Sequence, residues 1–127
     1  MPVVDCLVMD QFKIESFPGS FEGVRILRLS GPFTLRELFD FQATVRAVQD
    51  PVTLIDLTEV PYMDSASLGA LMMVHTSAQR HQRKYALVGV SDRLRTLFGV
   101  AGVDGILVMY PSVDEAQSKL AGKAATS

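Results

Sequence analysis

The sequence predicts a single α/β domain: a mostly parallel sheet with an N-terminal antiparallel hairpin and crossover helices. Two observations carry this. Short apolar runs suited to buried strands alternate with longer segments whose apolar residues recur every three or four positions, and that order calls for parallel pairing through right-handed crossovers. The length of 127 residues suits one domain, and hydrophobic residues at 48% against charged residues at 20% supply one core rather than two.

Residues 1–11 read as an N-terminal extension, 12–120 as the domain and 121–127 as a flexible tail of small and polar residues. Phe12 to Phe17 partly alternates apolar and polar residues, and Pro18-Gly19-Ser20 reads as a turn. Val24 to Leu29 alternates more cleanly, so the two segments predict the opening hairpin. Thr34 is a fair N-cap for a helix to about Val48, with Leu35, Leu38, Phe39, Phe41, Gln42 and Val45 on its apolar face. Val52 to Leu57 is nearly continuous and apolar, which predicts a central strand covered on both faces.

Thr58 to Met63 is then a loop, and Asp64 caps a second helix through about Gln82. Tyr85 to Val90 predicts another buried strand. Ser91-Asp92 caps a short helix that Gly99 and Gly102 close. Ile106 to Tyr110 is the last strand, and Ser112 caps a final helix through about Leu120.

Several function classes fail. With 12 basic and 14 acidic residues, the chain lacks the basic footprint of a direct nucleic-acid binder. The densest basic stretch, Arg80 to Lys84, reads as the solvated end of a helix, with contact to an acidic partner as the alternative. Cys6 is a lone, inert thiol, compatible with a reducing compartment. Asp5 and Asp10 interrupt any signal-peptide pattern, and no apolar run approaches the roughly 20 residues of a membrane span, so a cytoplasmic location is expected.

No cofactor loop is found: there is no Walker lysine motif and no G-x-G-x-x-G. His75 and His81 lie six apart and are not an i, i+4 metal pair, so no metal is expected. Ser67 lacks the glycines of a nucleophile elbow, and no catalytic residue is assigned. Asp56 sits where a phospho-aspartate receiver would carry its acceptor. The acidic pair and late lysine of that family are missing.

The informative stretch runs from Leu54-Ile55-Asp56-Leu57 through Val60-Pro61-Tyr62-Met63 to Asp64-Ser65-Ala66-Ser67-Leu68-Gly69. A buried strand leads by a loop to a helix start, where free N–H groups and positive dipole character make hydroxyls available to a partner and tolerate a phosphate. On spacing alone, plain helix capping by Asp64 is the simpler reading of the same residues.

This stretch resembles the signature of the STAS domain family, in which an apolar strand ending in Asp-Leu leads to Asp-Ser-Ser/Thr-Gly-Leu-Gly at a helix start. The similarity continues in Leu87-Val88-Gly89-Val90-Ser91, in Leu97-Phe98-Gly99-Val100-Ala101-Gly102-Val103 and in Tyr110-Pro111-Ser112-Val113-Asp114-Glu115-Ala116. The resemblance implies a single STAS-type domain and the work of an anti-sigma factor antagonist, which binds a partner and is not an enzyme. The implied partner is an anti-sigma factor with serine kinase activity, opposed by a serine phosphatase. The expected partner-binding residues are Asp64, Ser65, Ala66, Ser67 and Leu68, with Asp56 supporting the loop. The family's phospho-acceptor position holds Ala66 here, which leaves Ser65 and Ser67 as phospho-acceptor candidates. A STAS scaffold without phosphorylation, in a transporter-associated or signalling complex, is the alternative, and an uncharacterised hydrolase the third.

Overall fold

A computed structural model of the chain describes residues 12–122, so Cys6 and most of both predicted terminal segments lie outside the described residues. One five-stranded sheet runs in chain order. Its strands are β1 (Lys13–Pro18), β2 (Val24–Ser30), β3 (Val52–Glu59), β4 (Lys84–Val88) and β5 (Met109–Tyr110). β1 and β2 pair antiparallel, and every later pairing is parallel. The predicted hairpin and crossovers are therefore present.

The helices are α1 (Leu38–Ala47), α2 (Ser65–Arg80), α3 (Asp92–Ala101) and α4 (Val113–Gln117), with a 3-10 turn at Leu35–Glu37 leading into α1. Strand parity assigns them to two faces. Leu27 and Leu29 of β2, Ile55 and Leu57 of β3, and Tyr85 and Leu87 of β4 face the main core. Phe41 of α1, Leu71 of α2 and Phe98 of α3 pack into it. The alternate residues Val24, Ile26, Val52 and Leu54 form a smaller core closed by Ala116 of α4. β3 thus has both faces covered, as its apolar run requires.

Four expectations change in detail. β3 extends to Glu59, so the loop before α2 is shorter than predicted. The last strand shrinks to two residues, because the amides of Ile106 and Leu107 turn back onto the Val103 carbonyl at 3.0 and 3.1 Å. Gly99 lies inside α3, and Gly102 alone closes it with a left-handed φ of 77°. Finally, the predicted apolar face of α1 is not wholly internal. Phe41 is buried, while Leu35 and Phe39 are 65% and 85% exposed.

Candidate functional site

The carboxyl ends of β2, β3 and β4 gather the polar residues that the motif singled out. Asp56 is buried at the end of β3. Its Oδ1 accepts from the Thr58 amide at 3.0 Å and the Thr58 hydroxyl at 2.6 Å. Its Oδ2 lies 3.5 Å from Arg28 Nε on the neighbouring strand. Gly89, at the end of β4, has φ +70° and lies so close to Thr58 that a Cβ there would strike the Thr58 side chain and backbone. Asp56 and Gly89 together hold the exit of β3 in place.

Asp64 controls the next step. Its Oδ1 accepts from the Ser67 amide at 2.9 Å, which caps α2. Ser67 returns the contact, since its hydroxyl accepts from the Asp64 amide at 3.1 Å. The second carboxylate oxygen, Oδ2, accepts from the Leu35 amide at 3.0 Å, across 29 residues of sequence. One carboxylate therefore ties two helix starts together. A parallel bridge from Phe33 to Met63, with the Phe33 amide donating to the Tyr62 carbonyl at 2.9 Å, seals the two loops side by side.

Partial burial pushes the Asp64 carboxyl up, but the hydrogen bonds from the Ser67 and Leu35 amides and the Ser67 hydroxyl outweigh it and hold the group below its ordinary value. Asp64 is thus charged at neutral pH, the form that accepts amide donors most strongly.

The five motif residues divide by exposure. Ser65 is exposed, and its hydroxyl makes no hydrogen bond with a described residue. Asp64 and Ala66 are half-buried. Ser67 is fully buried with its hydroxyl committed to Asp64, and Leu68 belongs to the core. The structure also exposes large apolar side chains that the sequence pattern does not mark as exposed. Leu35, Phe39, Tyr62 and Met73 are large apolar side chains at least half exposed. Leu35 and Phe39 stand one helical turn apart, and Leu35 joins the site directly through its amide. Tyr62 precedes Asp64 by two residues.

Catalytic assemblies are not formed by the motif. Ser67 bonds to Asp64, whereas His75 Nδ1 lies 2.7 Å from the Tyr85 hydroxyl. Among the described residues no three metal-ligating side chains cluster, and no helix is long and apolar enough to cross a membrane.

The model of the STAS domain family matches residues 20–116, which include both helix starts and the whole of β3. The chain belongs to the STAS domain family. An anti-sigma-B factor antagonist of Listeria monocytogenes is 42% identical over 64 residues, 50% of this chain and 56% of that protein. This STAS chain thus spans little more than half the length of the curated relatives it matches. An anti-sigma factor antagonist from Mycobacterium paratuberculosis superposes with a TM-score of 0.77 at 20% identity, over 87% of this chain and 95% of that one. A sulfate transporter family protein from Wolinella succinogenes superposes at 0.65 and 23% identity, over 82% and 87% of the two chains. At these identities the two structures share the STAS fold with this chain.

Proposed function

We propose that this STAS domain is an anti-sigma factor antagonist that works in the cytoplasm. It binds an anti-sigma factor with serine kinase activity, and sequestering that partner frees a sigma factor for transcription. The observation that carries this reading is the shared carboxylate of Asp64. By locking the starts of α1 and α2 together, it presents Ser65, Ala66, Leu35 and Tyr62 on one preorganised edge. Preorganisation lowers the ordering cost of binding, and exposed apolar side chains beside a polar rim are the composition of a protein interface.

In this reading the phosphate goes to Ser65 and not to Ser67. The Ser65 hydroxyl is accessible, while reaching Ser67 requires opening the first turn of α2. A phosphate beside charged Asp64 adds roughly −1.5 to −2 charges to the interface and repels a docked partner. A serine phosphatase restores binding. Ala66 favours a second reading: a STAS scaffold in a transporter-associated or signalling complex, which keeps one binding-competent form.

Calorimetric titration with the kinase-type anti-sigma factors of the same genome tests the proposal. One of them binds, and Leu35→Ala combined with Tyr62→Ala weakens it by about tenfold or more, the scale of an interface anchor. Undiminished affinity in the double variant moves the interface elsewhere, and no binding at all rejects the anti-sigma reading.

A further inference from the structure

β1 enters the sheet beside the Asp64 edge. It runs antiparallel to β2 and sets Lys13 opposite Ser30, the last residue of β2. The start of β1 therefore lies at the carboxyl end of the sheet, where α1 and α2 begin. Phe12 fixes the position further, because its ring stacks on Phe33 with the centroids 5.4 Å apart. Phe33 in turn donates its amide to the Tyr62 carbonyl at 2.9 Å and precedes Leu35 by two residues. Residues 1–11 thus join the domain at a point flanked by Tyr62 and Leu35.

Leu35, Phe39 and Tyr62 are all at least half exposed there. Exposed apolar side chains grouped in this way mark a surface that something covers. The segment that arrives beside them has matching chemistry. Val3-Val4-Asp5-Cys6-Leu7-Val8-Met9 is apolar at every position but Asp5. Residues 1–11 carry two carboxylates, Asp5 and Asp10, and no cation. Arg36 is exposed between Leu35 and Glu37 and has no carboxylate partner among the described residues. Asp40 is exposed on the next turn and opposes this charge match, so the apolar residues carry most of the complementarity. Reach is ample: Leu35 is within about 7 Å of Phe33 and Phe39 about one helical turn farther, whereas residues 3–11 extend to about 30 Å.

We propose that the segment Val3–Met9 packs over the Leu35, Phe39 and Tyr62 edge of its own chain and competes with the partner that binds there. The competition rests on the reading of this edge as the partner-binding surface, whereas the packing does not. Closed and open forms then coexist, and only the open form is competent to bind. The apparent affinity for the partner falls in proportion to the open fraction. Because the segment is tethered a few residues from the edge, its effective concentration there is in the millimolar range, so weak contacts suffice to close it. The same contacts shield the apolar edge when no partner is present.

The test is NMR of the full chain at two concentrations, without any partner. Nuclear Overhauser contacts from the Leu7 and Val8 methyl groups to the Phe39 and Tyr62 rings are expected, unchanged on dilution. Contacts that weaken on dilution place the segment on a second copy. Contacts to Ile14 and Ala43 place it in the neighbouring groove between β1 and α1. Either result, or no contacts at all, overturns the proposal. Leu7→Asp combined with Val8→Asp should abolish the contacts and move the amide signals of Leu35, Arg36 and Phe39. Phe39→Ser, at an exposed position, should abolish them from the other side and covers the case in which the double variant does not fold. In titration with the anti-sigma partner, the Leu7→Asp, Val8→Asp chain should bind about three- to tenfold tighter than the wild type. Equal affinity despite the contacts overturns the competition. Absence of binding by both chains rejects the partner reading and the competition with it, while the contacts alone decide the packing.

Discussion

At the carboxyl end of β3, the polar atoms of Asp56, Thr58, Asp64 and Ser67 are all engaged with one another or with neighbouring backbone. Toward its amino end, Thr53 lines an open cavity beside the exposed side chains of Arg46, His81 and Arg83. The polar groups at the first end are closed on one another, whereas those at the second face a cavity open to solvent. Closed hydrogen-bond networks rigidify what they hold, so the carboxyl end is built to present a fixed surface. The contrast predicts that substitutions at the first end cost stability, whereas removing the Thr53 hydroxyl does not.

The largest expected effect comes from Gly89→Ala. A Cβ there meets the Thr58 side chain and its Cα, on a backbone at φ +70°. Left-handed strain costs about 1–2 kcal/mol and overpacking a further 1–3 kcal/mol. Urea unfolding of this variant should therefore show a loss of about 2–5 kcal/mol. A loss below about 1 kcal/mol would mean that the β3 exit is pliable and that the two ends differ less than their hydrogen bonds suggest.

Asp64→Ala comes next. It removes the acceptor for two helix-start amides, and capping losses with charge-assisted bonds amount to about 1–3 kcal/mol. The pH dependence has a definite sign. The folded carboxyl lies below its ordinary value, so its contribution is full above the unfolded-state value and is lost as pH falls through the folded one. The gap between wild type and variant should therefore be constant near neutral pH and close only in acid, below the ordinary carboxylate range. Equal stabilities at pH 7 would show that Asp64 does not tie the two helix starts together.

Much of this architecture was legible because its causes are local. The continuous apolar run Val52 to Leu57 can only be satisfied between two covered faces, and Asp64, Ser91 and Ser112 cap helices as their side chains dictate. What stayed hidden depends on distance or phase. The bond from the Leu35 amide to Asp64 spans 29 residues, and no spacing reveals it. A uniform helix from Thr34 places Leu35 on the buried face. The first turn is 3-10, with about three residues per turn, and that rotates the following side chains. Arg80 to Lys84 read as a solvated helix end, and only the fold brings part of it beside Arg46.

The smallest structural change gives the sharpest test of what the carboxyl end presents. Ala66 is half-buried in the first turn of α2, between exposed Ser65 and buried Ser67. Ala66→Ser adds one hydroxyl and costs a few tenths of a kcal/mol in helix propensity, partly offset because free first-turn amides can donate to its oxygen. Its effect on unfolding should therefore be near the limit of measurement. Its effect on modification should be large if a serine kinase docks here, since the new hydroxyl stands on the edge that Asp64 fixes and a helix start tolerates the added charge. Intact-mass spectrometry after incubation with the kinase partner reads this directly, with Ser65→Ala and Ser67→Ala alongside. The expected order is most phosphate on Ala66→Ser, less on the wild type, and none on Ser65→Ala. Ser67→Ala should keep its label, because its hydroxyl is internal to the cap. Wild-type labelling that survives both alanine substitutions would place the switch away from this edge, and the closed network would then serve binding alone.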